Sequence, residues 1–186
     1  MPAEDHPPPG PAAAPAPLPE EYQAAIDEVL QLVYSQAYHL AARLSPAAPP
    51  HLTVEQVRQG PLGEDLLHLA RVAAGQVGAE RAAVLAAIDE VLALLFTPAG
   101  GQRPVVERRF WEDAPLGRML AQAKFRAFER RELVSLGEAA RALRVARQTI
   151  YRWIDEGRLD STRDALSGRT YVALADVEAL RRAPPP

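Results

Sequence analysis

Between Ser135 and Leu159 the chain reads Ser-Leu-Gly-Glu-Ala-Ala-Arg-Ala-Leu-Arg-Val-Ala-Arg-Gln-Thr-Ile-Tyr-Arg-Trp-Ile-Asp-Glu-Gly-Arg-Leu. Two short runs of helical periodicity meet there with space for only a tight turn between them. No other stretch constrains the fold as strongly. Ser135 and Glu138 have the S-x-x-E spacing of a capping box, in which each side chain satisfies a backbone N–H of the other. Ala139, Ala140 and Leu143 then form an apolar stripe, and the small alanines allow a second helix to approach closely. Val145 is placed in the turn, pointing inward.

The second helix is expected to begin near Ala146. At about 100° per residue, Ala146, Ile150, Trp153 and Ile154 fall on one side. Arg147, Gln148, Tyr151, Arg152 and Asp155 fall on the other, within an arc of about 140°, and Thr149 sits at its edge. This is the layout of a helix-turn-helix, which sets its second helix in the DNA major groove. Arg and Gln read guanine and adenine edges there, and Thr and Tyr bond phosphate oxygens. After Glu156-Gly157, residues Leu159 to Arg163 and Arg169 to Val172 read as two short strands around Asp164–Gly168. Gly168 suits a turn position of positive φ. A last helix follows Leu174, with Val177 and Leu180 closing a small core.

Taken in order, these residues resemble the excisionase/MerR-like winged helix-turn-helix family over positions 133–182. The matching pieces are Leu133-Val134, Glu138-Ala139-Ala140, Val145, Thr149-Ile150-Tyr151-Arg152-Trp153-Ile154, Glu156-Gly157-Arg158-Leu159 and Asp176-Val177-Glu178-Ala179-Leu180. The resemblance implies binding of double-stranded DNA by the second helix and the β-wing. The candidate contacts are Arg144, Arg147, Gln148, Thr149, Tyr151, Arg152, Arg158, Arg163 and Arg169. Two positions depart from the family pattern. Arg144 stands where a turn glycine is usual, and Ala146 where a Ser or Thr cap is usual. A missing N-cap costs about 0.5–2 kcal/mol. The wing tip is also long, which bears on where Arg163 and Arg169 point.

Charge supports the same division. Residues 131–186 carry ten Arg and eight acids, and residues 1–130 carry eleven basic and sixteen acidic residues, so net +2 and −5 give the −3 of the whole chain. An acidic body is repelled by DNA, leaving the C-terminal part to meet phosphate. Arginines on a helix are often only a solvated face, so the order of motifs carries more weight than charge. The absence of cysteine excludes disulfides and thiolate metal sites, and His6, His39, His51 and His68 show no ligand spacing. No cofactor is expected. The acidic, Pro-rich start has no basic or apolar segment of a signal peptide, and the apolar run Val91–Phe96 is too short to span a bilayer. The expected location is cytoplasmic, with the nucleoid, away from membranes.

The remainder reads as an all-α domain over 18–130, between Pro/Ala-rich tails at 1–17 and 183–186 that are expected to be disordered. The fold class expected is therefore mainly α, with a short β-hairpin in the C-terminal domain (131–182). Helical spacing covers Leu18–Leu44, Thr53–Gln59, a helix around Leu62–Val72, one around Val84–Leu95, and a long one starting near Asp113-Ala-Pro115, with Asp113 as its cap. The domain repeats itself. Ala24-Ala-Ile-Asp-Glu-Val-Leu30 recurs as Ala86-Ala-Ile-Asp-Glu-Val-Leu92, Val54-Glu55 as Val106-Glu107, and Pro61-Leu-Gly-x-x-Leu66 as Pro115-Leu-Gly-x-x-Leu120. Two copies, about 20–77 and 80–130, are expected to pack around a pseudo-twofold because each offers only one apolar face. The paired acids Asp27/Glu28 and Asp89/Glu90 point about 100° apart and suit a solvated face better than a metal site. Phe110 and Trp111 read as core aromatics flanked by solvated Arg108 and Arg109.

These readings predict a transcriptional regulator whose helical domain forms a homodimer, senses a ligand or recruits a protein partner. Two alternatives are an architectural factor that bends DNA in recombination or segregation, and an antitoxin-like or adaptor protein acting through protein contacts. No phosphate loop, nucleophile elbow or metal-ligand spacing points to an enzyme.

Overall fold

Helix ends in this chain are marked by local chemistry, and the computed structural model shows most of those marks in use. It describes residues 16–45, 52–96, 106–165 and 167–182. The terminal tails expected to be disordered lie almost wholly outside that range. Helix α1 (Glu20–Leu44) starts with two acids in its first turn, where the helix dipole favours them. Helix α2 (Val54–Arg58) has a full capping box: Thr53 Oγ1 accepts from Gln56 N–H at 3.2 Å, and Gln56 Oε1 accepts from Thr53 N–H at 2.8 Å. Helix α3 (Pro61–Ala74) has proline at its first position and ends on Gly75 in the left-handed conformation. Glu80 caps α4 (Arg81–Phe96) by accepting from Ala83 N–H at 2.7 Å.

A short helix α5 (Arg108–Asp113), not expected from the sequence, precedes α6 (Pro115–Arg126), the helix expected to start near Pro115. Asp113 is the last residue of α5, so it cannot cap α6; Ala114 stands at that position and makes no side-chain cap. Proline at 115 stops α5 from continuing, and its missing N–H matters least at the first position of α6.

Within the helical body, α3 and α6 form the central pair. Helix α1 lies on both α6 and α3, and α4 lies on both α3 and α6. The repeated segments occupy matching places. Ala25, Ile26, Val29 and Leu30 are the buried residues of α1, and Ala87, Ile88, Val91 and Leu92 are buried at the corresponding positions of α4. Gly63 and Gly117, third in α3 and α6, match as well. A Cβ at Gly63 would lie 1.9 Å from the Arg58 carbonyl oxygen, and one at Gly117 would lie 1.8 Å from that of Phe110. In each half the preceding short helix therefore rests directly on the glycine. The middle pair of the repeat does not superpose in the same way: Val54 and Glu55 open α2, whereas Val106 and Glu107 precede α5. The paired acids are exposed, and Asp27 forms an ion pair with Arg58 at 2.7 Å.

The C-terminal part has a separate core of Leu136, Ala139, Ala140, Ile150, Trp153, Leu159, Val172 and Val177. Helices α7 (Leu136–Leu143), α8 (Arg147–Asp155) and α9 (Leu174–Arg182) surround a small antiparallel sheet. The sheet has three strands, not the two of a simple hairpin. Strand β1 (Leu133–Ser135) joins β2 (Ser161–Arg163) and β3 (Thr170–Ala173) in the order β1-β3-β2, with Val134 opposite Val172. The apolar lead-in Leu133-Val134 is thus a strand in its own right.

The two parts share a polar interface along α6 and β2. Thr162 Oγ1 donates to the Ala121 carbonyl at 3.0 Å, Ala165 N–H donates to Gln122 Oε1 at 2.7 Å, and Lys124 is paired with Asp160. Gln122, Lys124 and Thr162 are the three buried polar side chains among the described residues, and all three are satisfied across this boundary. Arg81 pairs with Glu132 at 3.0 Å, and Phe125 lies 5.6 Å from Tyr171 between ring centres. Helix α6 thereby covers the open edge of β2, which would otherwise present unpaired backbone groups.

Candidate nucleic-acid interface

The helix-turn-helix begins at the capping box expected from sequence. Ser135 Oγ accepts from Glu138 N–H at 3.3 Å, and Glu138 Oε2 accepts from Ser135 N–H at 2.9 Å. These hydrogen bonds to Ser135 stabilise the ionised carboxylate and hold the Glu138 carboxyl below its ordinary range. Helix α7 ends in a Schellman turn. Val145 N–H donates to the Ala140 carbonyl at 3.0 Å and Arg144 N–H to that of Arg141 at 3.2 Å. Arg144 takes the left-handed conformation, with φ 56° and ψ 41°, in the place glycine favours. Val145 turns inward against the small core. Ala146 precedes α8 without a side-chain cap.

Helix α8 separates its faces. Ile150 and Trp153 are buried, and Arg147, Gln148 and Arg152 are exposed on the other side. Thr149 is half-buried at the edge. The Arg147 guanidinium lies close to Gly137, within 2.8 Å of where a Cβ would stand, so the starts of α7 and α8 come together around this cation. Arg152 has Glu156 one turn on at 3.6 Å. Arg158 is exposed, 3.5 Å from Glu156 and above the Trp153 ring. Arg144 and Arg169 are exposed, with no ion pair among the described residues. Arg141, on α7, is exposed in the same way but was not singled out by the sequence pattern.

Two candidates are drawn away from the open face. Tyr151 is half-buried, with the Arg108 guanidinium 5.3 Å from its ring centre. Arg163 is half-buried and forms an ion pair with Glu112 at 3.4 Å. Both partners lie on α5. The helix-turn-helix pattern alone gives no sign of them, because the helical body supplies them. Arg108 and Glu112 carry no motif, and Arg108 reads in sequence as a solvated charge. The hairpin tip closes through Asp164 N–H to the Arg169 carbonyl at 3.0 Å and Gly168 N–H to that of Asp164 at 2.8 Å, with Gly168 at φ 66° as its sequence position suggested.

Among the described residues no helix is long and apolar enough to cross a membrane, and no group of metal-ligating side chains gathers. No match to the chain was found among curated proteins or solved structures. Residues 133–183 match the family model described as a helix-turn-helix domain, which spans β1 through α9. The chain thus carries a DNA-binding helix-turn-helix domain at residues 133–183.

Proposed function

We propose that the protein is a sequence-specific transcriptional regulator in which Arg147, Gln148 and Arg152 read base edges from α8 in the major groove. The observation that carries this reading is the clean division of α8 between a buried Ile150/Trp153 face and an exposed Arg/Gln face. Arg144 and Arg158 flank that helix and serve phosphates, as does Arg169 at the end of the β2–β3 hairpin. Tyr151 and Arg163 position the helix and the hairpin through Arg108 and Glu112. Selection of bound duplexes from a randomised pool tests this. An enriched motif that disappears with the Arg147→Ala/Arg152→Ala double variant supports base readout; salt-sensitive binding without any motif overturns it in favour of an architectural role.

The reading includes a homodimer formed through α1. Ile26 and Leu30 are buried in the core, and the same stripe continues at Val33, Ala37, Leu40 and Leu44 along the distal half of α1, which has no buried residue. Leu40 is 61 % and Leu44 77 % exposed. A second copy of that stripe matches it, and a dimer reads two half-sites. Sedimentation of the wild type as a dimer, and of Leu40→Glu/Leu44→Glu as a monomer, is expected. A wild-type monomer at micromolar concentration overturns the dimer.

A further inference from the structure

Gly137 is the second residue of α7, and its backbone does not call for glycine. It lies inside the helix, and the described glycines of positive φ are Gly75, Gly157 and Gly168. Glycine is a poor helix former, so its place there needs another reason. At Gly63 and Gly117 that reason is a backbone carbonyl in the path of a Cβ. At Gly137 the three atoms nearest a Cβ all belong to the guanidinium of Arg147: Nη2 at 2.8 Å, Nε at 3.5 Å and Cζ at 3.6 Å. The missing side chain makes room for that cation.

Charge does not hold Arg147 in place. Arg152, on the same exposed face of α8, has Glu156 at 3.6 Å. Arg147 is exposed as well and forms no ion pair among the described residues. The two arginines are oriented by different means: Arg152 by a carboxylate one turn on, Arg147 by a gap in the neighbouring helix.

We infer that Gly137 is a positioning residue for DNA readout. The gap on α7 seats the Arg147 guanidinium before DNA arrives, and this sharpens discrimination at the base pair that Arg147 reads. The inference rests on the reading of α8 as the base-reading helix. A long side chain seated beforehand loses less freedom on binding, which for one such residue is worth about three- to tenfold in affinity.

Gly137→Ala in the full chain is the test. The added methyl group takes the ground of the guanidinium, and only the end of a flexible side chain must give, so the fold is kept. Affinity for a selected duplex should fall about three- to tenfold. Discrimination should fall at the one base pair that Arg147→Ala assigns to Arg147, with the other pairs read as before. In the Arg147→Ala background the same change should have no effect. Unchanged discrimination in Gly137→Ala, or an equal loss in the absence of Arg147, overturns the inference.

A second readout needs no DNA. Nitrogen relaxation of the Arg147 Nε–H signal, identified by its loss in Arg147→Ala, reports side-chain order on the ps–ns scale. Arg144, exposed and without an ion pair among the described residues, is the reference. Arg147 should be more ordered than Arg144 in the wild type and as mobile as Arg144 in Gly137→Ala. Equal mobility in the wild type, or order unchanged in Gly137→Ala, overturns the seating. Order lost in Gly137→Ala, in a chain that selects no duplex motif, upholds the seating and defeats the base-readout reading instead.

Discussion

The helical body and the helix-turn-helix close a helix with the same turn built from different residues. Helix α3 ends at Gly75, φ 74°, where Gln76 N–H donates to the Arg71 carbonyl at 2.9 Å. Helix α7 ends at Arg144, φ 56°, where Val145 N–H donates to the Ala140 carbonyl at 3.0 Å. Glycine meets no steric penalty there, whereas a side chain costs about 1–2 kcal/mol. The helical body uses the relaxed residue. The helix-turn-helix holds a strained cation beside α8. The contrast teaches that the same turn is kept at a higher steric cost in the C-terminal domain than in the body.

The largest expected effects lie in the body. Gly63→Ala and Gly117→Ala each force a methyl group into a backbone carbonyl at under 2 Å. Each should cost about 3 kcal/mol, read as a drop in thermal midpoint. Similar losses at the two positions sharpen the view that the halves are built alike; tolerance at one and not the other breaks it. Gly137→Ala in the helix-turn-helix meets only the end of the flexible Arg147 side chain, and a change within about 0.5 kcal/mol is expected.

Next in size is the boundary between the two regions. Gln122→Ala leaves the Ala165 N–H without its partner and should cost about 1–3 kcal/mol in chemical denaturation. A loss confined to the first of two separate transitions shows that the regions unfold independently. A loss within one transition shows them to be a single cooperative unit.

Smaller effects belong to the turn itself. Ser135→Ala removes a cap and should cost about 0.5–2 kcal/mol. Because folding lowers the Glu138 pKa, its contribution is present above the ordinary carboxylate range and fades as pH falls through the lowered value. The gap between wild type and Ser135→Ala should therefore narrow in acid, and a constant gap contradicts the assignment. Arg144→Gly should raise stability by about 1 kcal/mol while weakening DNA binding. A gain in stability with unchanged DNA affinity removes Arg144 from the interface.

The two regions also differed in how far their sequences could be read. Motif order placed the capping box at Ser135, the inward Val145, the buried Ile150 and Trp153 and the positive φ of Gly168, because each rests on local chemistry. The start of α6 was legible in Pro115, whereas the short helix α5 before it was not, and Asp113 reads as a cap although it is the last residue of α5. Strand β1 was hidden because three residues carry no period. The contacts of Tyr151 and Arg163 with Arg108 and Glu112 join segments far apart in the chain, and no local pattern encodes them.

The central claim is that α8 reads bases. Its most direct test compares wild type and Arg152→Ala on a selected duplex and on that duplex's single-base variants at fixed salt. The account predicts a loss of about 1–3 kcal/mol on the selected duplex and relaxed discrimination at one base pair. An equal loss on every duplex, or no loss at all, contradicts it.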